Sequence, residues 1–236
     1  MREITAKQAA RAAGGRVIFG DPEKKICHIS LDSRKMAGND LFVPIIGERA
    51  DGHDYICMAI GNGATVVFTS RHKTEEEVQE AILTQCKGDK EKETAAKAAA
   101  WICVPDTRKA LQDFGAYCRR NNPIPLVGIT GSVGKTTTRE MVAAALSAGF
   151  LVYKTPGNSN SQVGVPITVA EIPENAEIGV IELGMSEPGE MTRIANVAQV
   201  NCAVMTNIGV AHIEQLGSQE NILKEKLHIQ DGMSEK

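Results

Sequence analysis

Residues 130–137 read Thr130-Gly131-Ser132-Val133-Gly134-Lys135-Thr136-Thr137. The apolar run PLVGIT precedes them and a helix-forming run follows, so the glycines sit where a strand turns into a helix. Glycines let backbone N–H groups face phosphate oxygens with no side chain in the way. The start of the helix adds the positive end of its dipole. Lys135 would reach the β- and γ-phosphates, and the Thr136 hydroxyl would ligate Mg²⁺. The pattern points to ATP, held by Gly131, Ser132, Val133, Gly134, Lys135, Thr136 and Thr137. The common longer motif needs a glycine at position 129, where this chain has Ile129, so the form here is the shorter G-x-x-G-K-T.

Three more residues have the chemistry to complete such a site. Glu182 ends the strand-like run IGVIEL. A carboxylate at the carboxyl end of a parallel strand points into the crevice where open α/β sheets bind ligands, and it could hold the Mg²⁺ of ATP. Taken alone, it reads equally well as a strand-end glutamate facing water. His212 follows the run CAVMTN by five residues, and a neutral imidazole there could ligate a metal. A lone loop histidine is more often only hydrogen-bonded. Lys226 lies in QENILKEKLHI, where the local pattern favours a solvated helical lysine.

The elements that must position these residues can be read from periodicity. Residues 3–13 read as an amphipathic helix ended by Gly14-Gly15. Strand-like runs follow at 16–19, 26–31 and 40–44, then a helical stretch at 51–61 and a buried strand at 64–69. Thr74 caps a helix to residue 85 whose first turn carries three glutamates, favoured there by the dipole. Residues 87–100 are charged and then alanine-rich, and read as a solvated loop leading into a surface strand or helix. A strand at 101–104 and a helix from Asp106 to about residue 120 end at Asn121-Asn122-Pro123, where a domain boundary is expected. Beyond it, strands at 125–130, 151–154, 178–183 and 202–207 alternate with helices at 135–148, 163–170 and 187–197, and a last helix starts near Ser218. Such alternation implies a parallel sheet covered by helices. The expected fold is α/β, with a small domain over 1–122 and a phosphate-loop parallel-sheet domain over 123–236 that stops short of its closing strands.

The chain has 236 residues, 42% hydrophobic and 23% charged, within the range of globular proteins that bury a real core. Its formal net charge of −3 gives no electrostatic case for nucleic acid or an anionic membrane. No stretch approaches the ~20 apolar residues of a bilayer span, and the first residues lack a secretory pattern. The six cysteines have no C-x-x-C spacing, which argues against zinc and fits a reducing cytoplasm. A monomer is expected.

Four segments in order, TGSVGKTTT, GNSNSQVGVPIT, IELGMSEPGEM and TNIGVAHIEQLGSQENILKEK, resemble the Mur ligases, the ATP-dependent amide-forming enzymes of peptidoglycan synthesis. The segments around Asn158, Asn160 and Gly164-Val165-Pro166, and Ala211-His212 where sister ligases typically carry Asp-His, look most like the member joining D-alanyl-D-alanine to UDP-N-acetylmuramoyl-tripeptide (UDP-MurNAc-tripeptide). The segment ISLDSRKMAGNDLFVPIIGERADGHDY resembles the family's UDP-holding domain, which puts Asp32, Ser33, Arg34 and the loop from Gly47 to His53 near the UDP. The resemblance implies two Mg²⁺ ions with Thr136, Glu182, His212 and Lys226 as ligands, Lys226 after conversion to a carbamate by CO₂. Carbamate formation needs the neutral amine. It gives Asn158, Asn160 and Ser161 a part in positioning the peptide or nucleotide, and Lys135 a catalytic part in activating a carboxylate as an acyl phosphate. Family members carry a third domain, so this length of chain is expected to be inactive by itself. Rival readings are a folylpolyglutamate synthase-like or sister Mur enzyme, against which the UDP-type segment argues in the first case, and a nucleotide-binding module without catalysis.

Overall fold

The structure is a computed structural model that describes residues 1–233. The chain divides into two compact units, Met1–Phe114 and Gly115 onward. The division falls inside one long helix, a little before the break expected at Asn121-Asn122-Pro123.

The first unit opens with β1 (Ile4–Thr5), α1 (Ala6–Ala12) and β2 (Arg16–Phe19). Thr5 and Gln8 form a capping box, so the helix starts later than periodicity suggests. The run at 26–31 is not one strand. It splits at Cys27 into β3 (Lys25–Ile26), paired with β1, and β4 (His28–Ser30), which joins the main sheet. Then come β5 (Asp40–Phe42), a 3₁₀ turn (Gly52–Tyr55), α2 (Ile56–Gly61), β6 (Ala64–Thr69) and α3 (Glu75–Cys86). Of the solvated loop leading into a surface strand or helix expected over 87–100, the helix is what forms, and it takes most of the segment as α4 (Lys90–Ala98). Asp89 caps it by accepting from the Glu91 and Lys92 amides, and Ala96 is buried. Charge made the segment look solvated, but the cap and the alanines favour helix. β7 (Ala100–Cys103) and the first half of α5 (Thr107–Asn121) complete the unit. The sheet order is β2-β7-β6-β5-β4, with β2 antiparallel to β7 and the other pairs parallel. Its centre is apolar: Leu41, Val66, Val67, Phe68 and Trp101 are fully buried.

The second unit repeats strand and helix with β8 (Leu126–Thr130), α6 (Lys135–Leu146), β9 (Val152–Lys154), α7 (Gly164–Ala170), β10 (Ile178–Glu182), α8 (Glu190–Ala198) and β11 (Cys202–Met205). The short α9 (Ile213–Leu216), missed by the sequence reading, precedes α10 (Gln219–Leu227), which Ser218 caps, and a 3₁₀ turn (His228–Gly232). All pairs of the β11-β8-β10-β9 sheet are parallel. The chain runs from β8 outward to β9, returns to β10 and crosses to β11, so the order reverses around β8. Crevices at such reversals, outside the carboxyl ends of the strands, are where these sheets hold ligands. One face of the sheet packs Val165, Ile181, Leu183 and Ile194, and the other packs Ile129, Val180 and Ala143 of α6. Arg119 donates to the carbonyls of Ala198 and Gln199, satisfying the end of α8. Among the described residues no helix is long and apolar enough to cross a membrane.

Candidate active site

The phosphate loop leaves β8 at Thr130 and enters α6 at Lys135. Gly131 has φ 143° and Gly134 has φ 86°, conformations that side chains rarely adopt. A Cβ on Gly131 would lie 1.9 Å from Thr206 Oγ1, so that position admits nothing larger than glycine. Gly134 caps α6 with no side-chain hydrogen bond. The amides of Gly134, Lys135, Thr136 and Thr137 have no partner among the described residues, leaving four donors at the positive end of a helix. Lys135 folds back and donates from Nζ to Gly131 O at 2.7 Å. Burial lowers its pKa, and Glu182 opposes that shift.

The loop is also held from outside. The Ser132 amide donates to Asn207 O at 3.0 Å, and the Gly209 amide donates to Ser132 Oγ at 2.9 Å. Thr206 and Asn207 were expected inside the last strand, but β11 ends at Met205 and frees both to meet the loop.

Glu182 ends β10 and is 1% exposed. Its amide donates to Thr155 Oγ1 at 2.9 Å, which fixes the strand end. Oε2 accepts from Thr136 Oγ1 and from Asn160 Nδ2, both at 3.4 Å. Oε1 lies 3.0 Å from Arg139 Nη1 as an ion pair. That nitrogen, however, donates to the Thr155 and Gly157 carbonyls, so Oε1 accepts no hydrogen bond. A buried carboxylate oxygen left this way has a lone pair to offer a cation. The Thr130 hydroxyl, buried at the base of the loop, has no partner either.

A cleft of about 180 Å³ brings together Lys135, Asn160, Ser161 and His212, with Met185 and Glu190 in its wall. Asn160 reaches both sides of it, accepting from the Gly184 amide through its own carbonyl and donating to Glu182. Asn158 is exposed, and its carbonyl accepts from the Asn160 amide in the turn before α7. His212 is exposed and left-handed at φ 65°, at the head of α9.

Lys226 is only 1% exposed, against the solvated helical lysine that local pattern favoured. Among the described residues its Nζ has no hydrogen-bond or ion-pair partner. Its pKa is lowered to about 8, first by burial and then by the nearby Lys135 charge, with Glu225 opposing both. The neutral amine, the form that reacts with CO₂, is therefore a minor species near physiological pH but far more populated than in a solvated lysine.

The donor set suits a magnesium ion that arrives with a nucleotide. Among the described residues no three His, Cys, Asp or Glu side chains converge to hold a metal. Mg²⁺ uses one or two carboxylates, phosphate oxygens and waters rather than an all-protein cage. Glu182, whose Oε1 accepts no hydrogen bond, and the adjacent Thr136 hydroxyl match that demand.

In the first unit Asp32, Ser33 and Arg34 line a pocket of about 570 Å³ with Phe42, Tyr55 and Met58. Arg34 donates to both Asp32 oxygens, at 2.8 and 2.9 Å, and these bonds hold the Asp32 carboxyl at about 2. The loop from Gly47 contributes Ala50 and Gly52 to the wall. Gly47 itself donates to Ala50 O, and His53 is fully buried. His53 Nδ1 meets Asp51 Oδ1 at 2.6 Å while Nε2 accepts from the Ser70 amide, so His53 shapes the loop from beneath the pocket.

Arg139, Thr155, Glu190, Thr206 and Asn207 were missed by the sequence reading. Arg139 lies one helical turn after Lys135, which was a usable signal. Glu190 is buried and accepts from Gln162, Ser186 and Glu187, tying α8 to the cleft wall.

Comparison with known proteins follows the same division. Residues 129–236 match the Mur ligase middle domain, and residues 25–118 match the profile described as Mur ligase family, catalytic domain. The UDP-N-acetylmuramoyl-tripeptide–D-alanyl-D-alanine ligase of Bacillus subtilis is 35% identical over 236 residues, 100% of this chain and 48% of that protein. Its counterpart from Treponema pallidum is 35% identical over 93% of this chain and 46% of its own length. The crystal structure of MurF from Acinetobacter baumannii superposes with a TM-score of 0.82 at 30% identity, covering 99% of this chain and 47% of that one. MurF from Thermotoga maritima, solved in complex with ADP, gives a TM-score of 0.72 at 30% identity, over 89% and 44% of the two chains. The chain thus spans about half the length of the curated relatives it matches. With both of its units matched in order and relatives 35% identical over nearly its whole length, the chain belongs to the Mur ligase family.

Proposed function

We propose that the chain is the part of an ATP-dependent ligase that takes UDP-MurNAc-tripeptide in its first unit and ATP in its second, for amide-bond formation with D-Ala-D-Ala. The observation that carries this reading is the meeting of Lys135, Asn160, Ser161 and His212 on one cleft, with Glu182 touching Thr136. The names of the relatives supply the substrates.

The reaction is carboxylate activation. The terminal carboxylate of the peptide attacks the γ-phosphorus of ATP, ADP leaves, and an acyl phosphate forms. The amine of D-Ala-D-Ala then attacks the acyl carbon, phosphate leaves, and the amine proton is lost to solvent or base. Such transfers depend on alignment and charge offset. The loop amides from Gly134 to Thr137 and the Lys135 ammonium hold the phosphates. Asn160 and Ser161 orient the acceptor. Thr136, Glu182, His212 and the Lys226 carbamate would hold Mg²⁺, which supplies further charge neutralisation at the γ-phosphoryl group. The Lys226 ammonium loses one proton to become the neutral amine, which adds to CO₂ and releases a second, so that two protons leave as a buried cation is exchanged for a carbamate anion. The UDP moiety lies in the pocket of Asp32, Ser33 and Arg34, with the loop from Gly47 to His53 forming part of the wall.

Calorimetry on the 236-residue chain tests the binding half: ADP·Mg²⁺ and UDP-MurNAc-tripeptide should bind, and folate should not. Lys135→Ala should weaken ADP about 100-fold or more by removing a charged phosphate contact. Turnover is read in a fusion of this chain to the C-terminal half of a full-length relative, with UDP-MurNAc-pentapeptide, ADP and phosphate as the expected products. In that fusion Lys226→Ala should lose activity and recover part of it with added acetate. Folate binding in place of the UDP-peptide would move the chain to the folylpolyglutamate synthase-like reading. Nucleotide binding with no ligase product from the fusion would favour the binding-module reading.

A further inference from the structure

The loop that would hold phosphate has two sets of amides, and they are not equivalent. Those of Gly134 to Thr137 are unpartnered. Those of Ser132 and Val133 are committed, both to Asn207. Asn207 O takes the Ser132 amide at 3.0 Å, and its side-chain Oδ1 takes the Val133 amide at 3.1 Å. Asn207 Nδ2 returns a bond to Val133 O at 3.1 Å, and Thr206 Oγ1 donates to the same carbonyl at 2.6 Å. One asparagine therefore closes a two-bond ring on the Val133 peptide, 74 residues away in sequence. Val133 itself is 68% exposed, so no packing of its side chain does this work.

The consequence is directional. Val133 O is held toward β11 by two donors, and this fixes the peptide that leads into left-handed Gly134. The Gly134 conformation in turn aims the free amides of α6 at a ligand. Lys135 bonds Gly131 O at the other end of the turn, so the loop is pinned at both ends.

We infer that Asn207 is a positioning residue of the nucleotide site: its side-chain amide clamps the Val133 peptide, reserving the Ser132 and Val133 amides for the clamp and presenting the amides from Gly134 onward to phosphate. The inference rests on the reading of this loop as the nucleotide site. A glutamine cannot replace the asparagine, because one more methylene displaces both ends of the ring. An aspartate keeps the acceptor for the Val133 amide but loses the donor to Val133 O and adds charge beside the phosphates.

The test combines amide hydrogen exchange with ADP·Mg²⁺ titration of the 236-residue chain. In the ligand-free wild type the Val133 amide should exchange slowly despite its exposed position, and in Asn207→Ala at least tenfold faster, an effect in line with loss of its hydrogen bond. ADP should bind Asn207→Ala and Asn207→Gln about tenfold more weakly, by loss of two hydrogen bonds that order the loop. On ADP addition to the wild type, protection should rise at Gly134 to Thr136 and stay unchanged at Val133. Should Asn207→Ala fail to fold, Thr206→Val and Thr206→Ser decide: valine should weaken ADP about threefold, and serine, which keeps the hydroxyl, should restore it. Wild-type affinity in Asn207→Ala, or exposure of the Val133 amide when ADP binds, overturns the clamp. Absence of ADP binding by the wild type overturns the nucleotide reading instead, and exchange at Val133 in the ligand-free chain still decides whether the clamp exists.

Discussion

The cleft in the second unit and the pocket in the first differ in how they treat charge. Around the phosphate loop, Glu182 and Lys226 are each 1% exposed and Arg139 is 6% exposed. In the first unit's pocket the charged pair is Asp32 with Arg34, and the Arg34 side chain is 78% exposed. Burying charge is costly unless partners or a ligand compensate, so the second unit holds its ionic groups under tension. The first unit's pocket keeps the Asp32–Arg34 pair in contact with water, where a pair of this kind adds little to stability. Under the proposed function, that contrast would separate a unit that handles phosphate from one that recognises the UDP-linked substrate.

The largest effect that would sharpen this contrast is expected at Gly131. Gly131→Ala places a Cβ 1.9 Å from Thr206 Oγ1 at a φ of 143°. The second unit should lose about 3 kcal/mol in urea denaturation. At Gly134 the nearest atom to a Cβ is 4.0 Å away, so Gly134→Ala meets only the left-handed backbone penalty, about 1 kcal/mol. Equal losses at the two glycines would show that close approach of Thr206 does not constrain the loop.

These glycines also show what could be read from the sequence. Gly131, Gly134 and Lys135 were legible because their residue types are demanded by local backbone geometry and by phosphate. Asn207 was not, because it acts through the backbone of Val133, and only the sheet brings β11 beside β8. Lys226 was misleading locally: a Lys-Glu-Lys run looks solvated, and only packing of α10 against α8 buries it, so its importance entered by resemblance alone. The helix at Lys90–Ala98 was legible only as a surface strand or helix after a loop, because the charged run hides how early the Asp89 cap starts it. In the first unit, His53 was placed near UDP by its motif, while its ring bonds Asp51 and Ser70 below the pocket.

A middle-sized effect is expected from the buried amine. The Lys226 pKa falls from its ordinary value near 10.5 to about 8 on folding. At pH 7 the folded chain carries a buried ammonium that destabilises it by up to about 3 kcal/mol. Between pH 8 and 10.5 the unfolded chain binds more protons at this group than the folded chain, so wild-type stability should rise there with pH. Lys226→Met, which keeps the volume without the charge, should be more stable than wild type at pH 7, with the gap closing as pH approaches 10.5. Denaturation in CO₂-free buffer at several pH values measures it. A gap independent of pH would mean the charge on Lys226 is already compensated, and the two regions would then differ less than the burial of their ions suggests.

The smallest effect belongs to the exposed pair, and it is the one most able to break the comparison. Arg34 donates to Asp32 in solvent, so Arg34→Ala should leave the melting temperature within about 1 °C of wild type. Asp32 should also titrate closer to its ordinary value, because the Arg34 bonds that hold it at about 2 are gone. If this pocket recognises UDP, the same variant should bind UDP about threefold to tenfold more weakly through loss of a guanidinium that can turn toward phosphate. ADP binding at the phosphate loop should be unaffected. A large drop in stability with no change in UDP affinity would reverse the assignment: Arg34 would then be part of the scaffold, and the first unit would no longer be the one that keeps its charge free for a ligand.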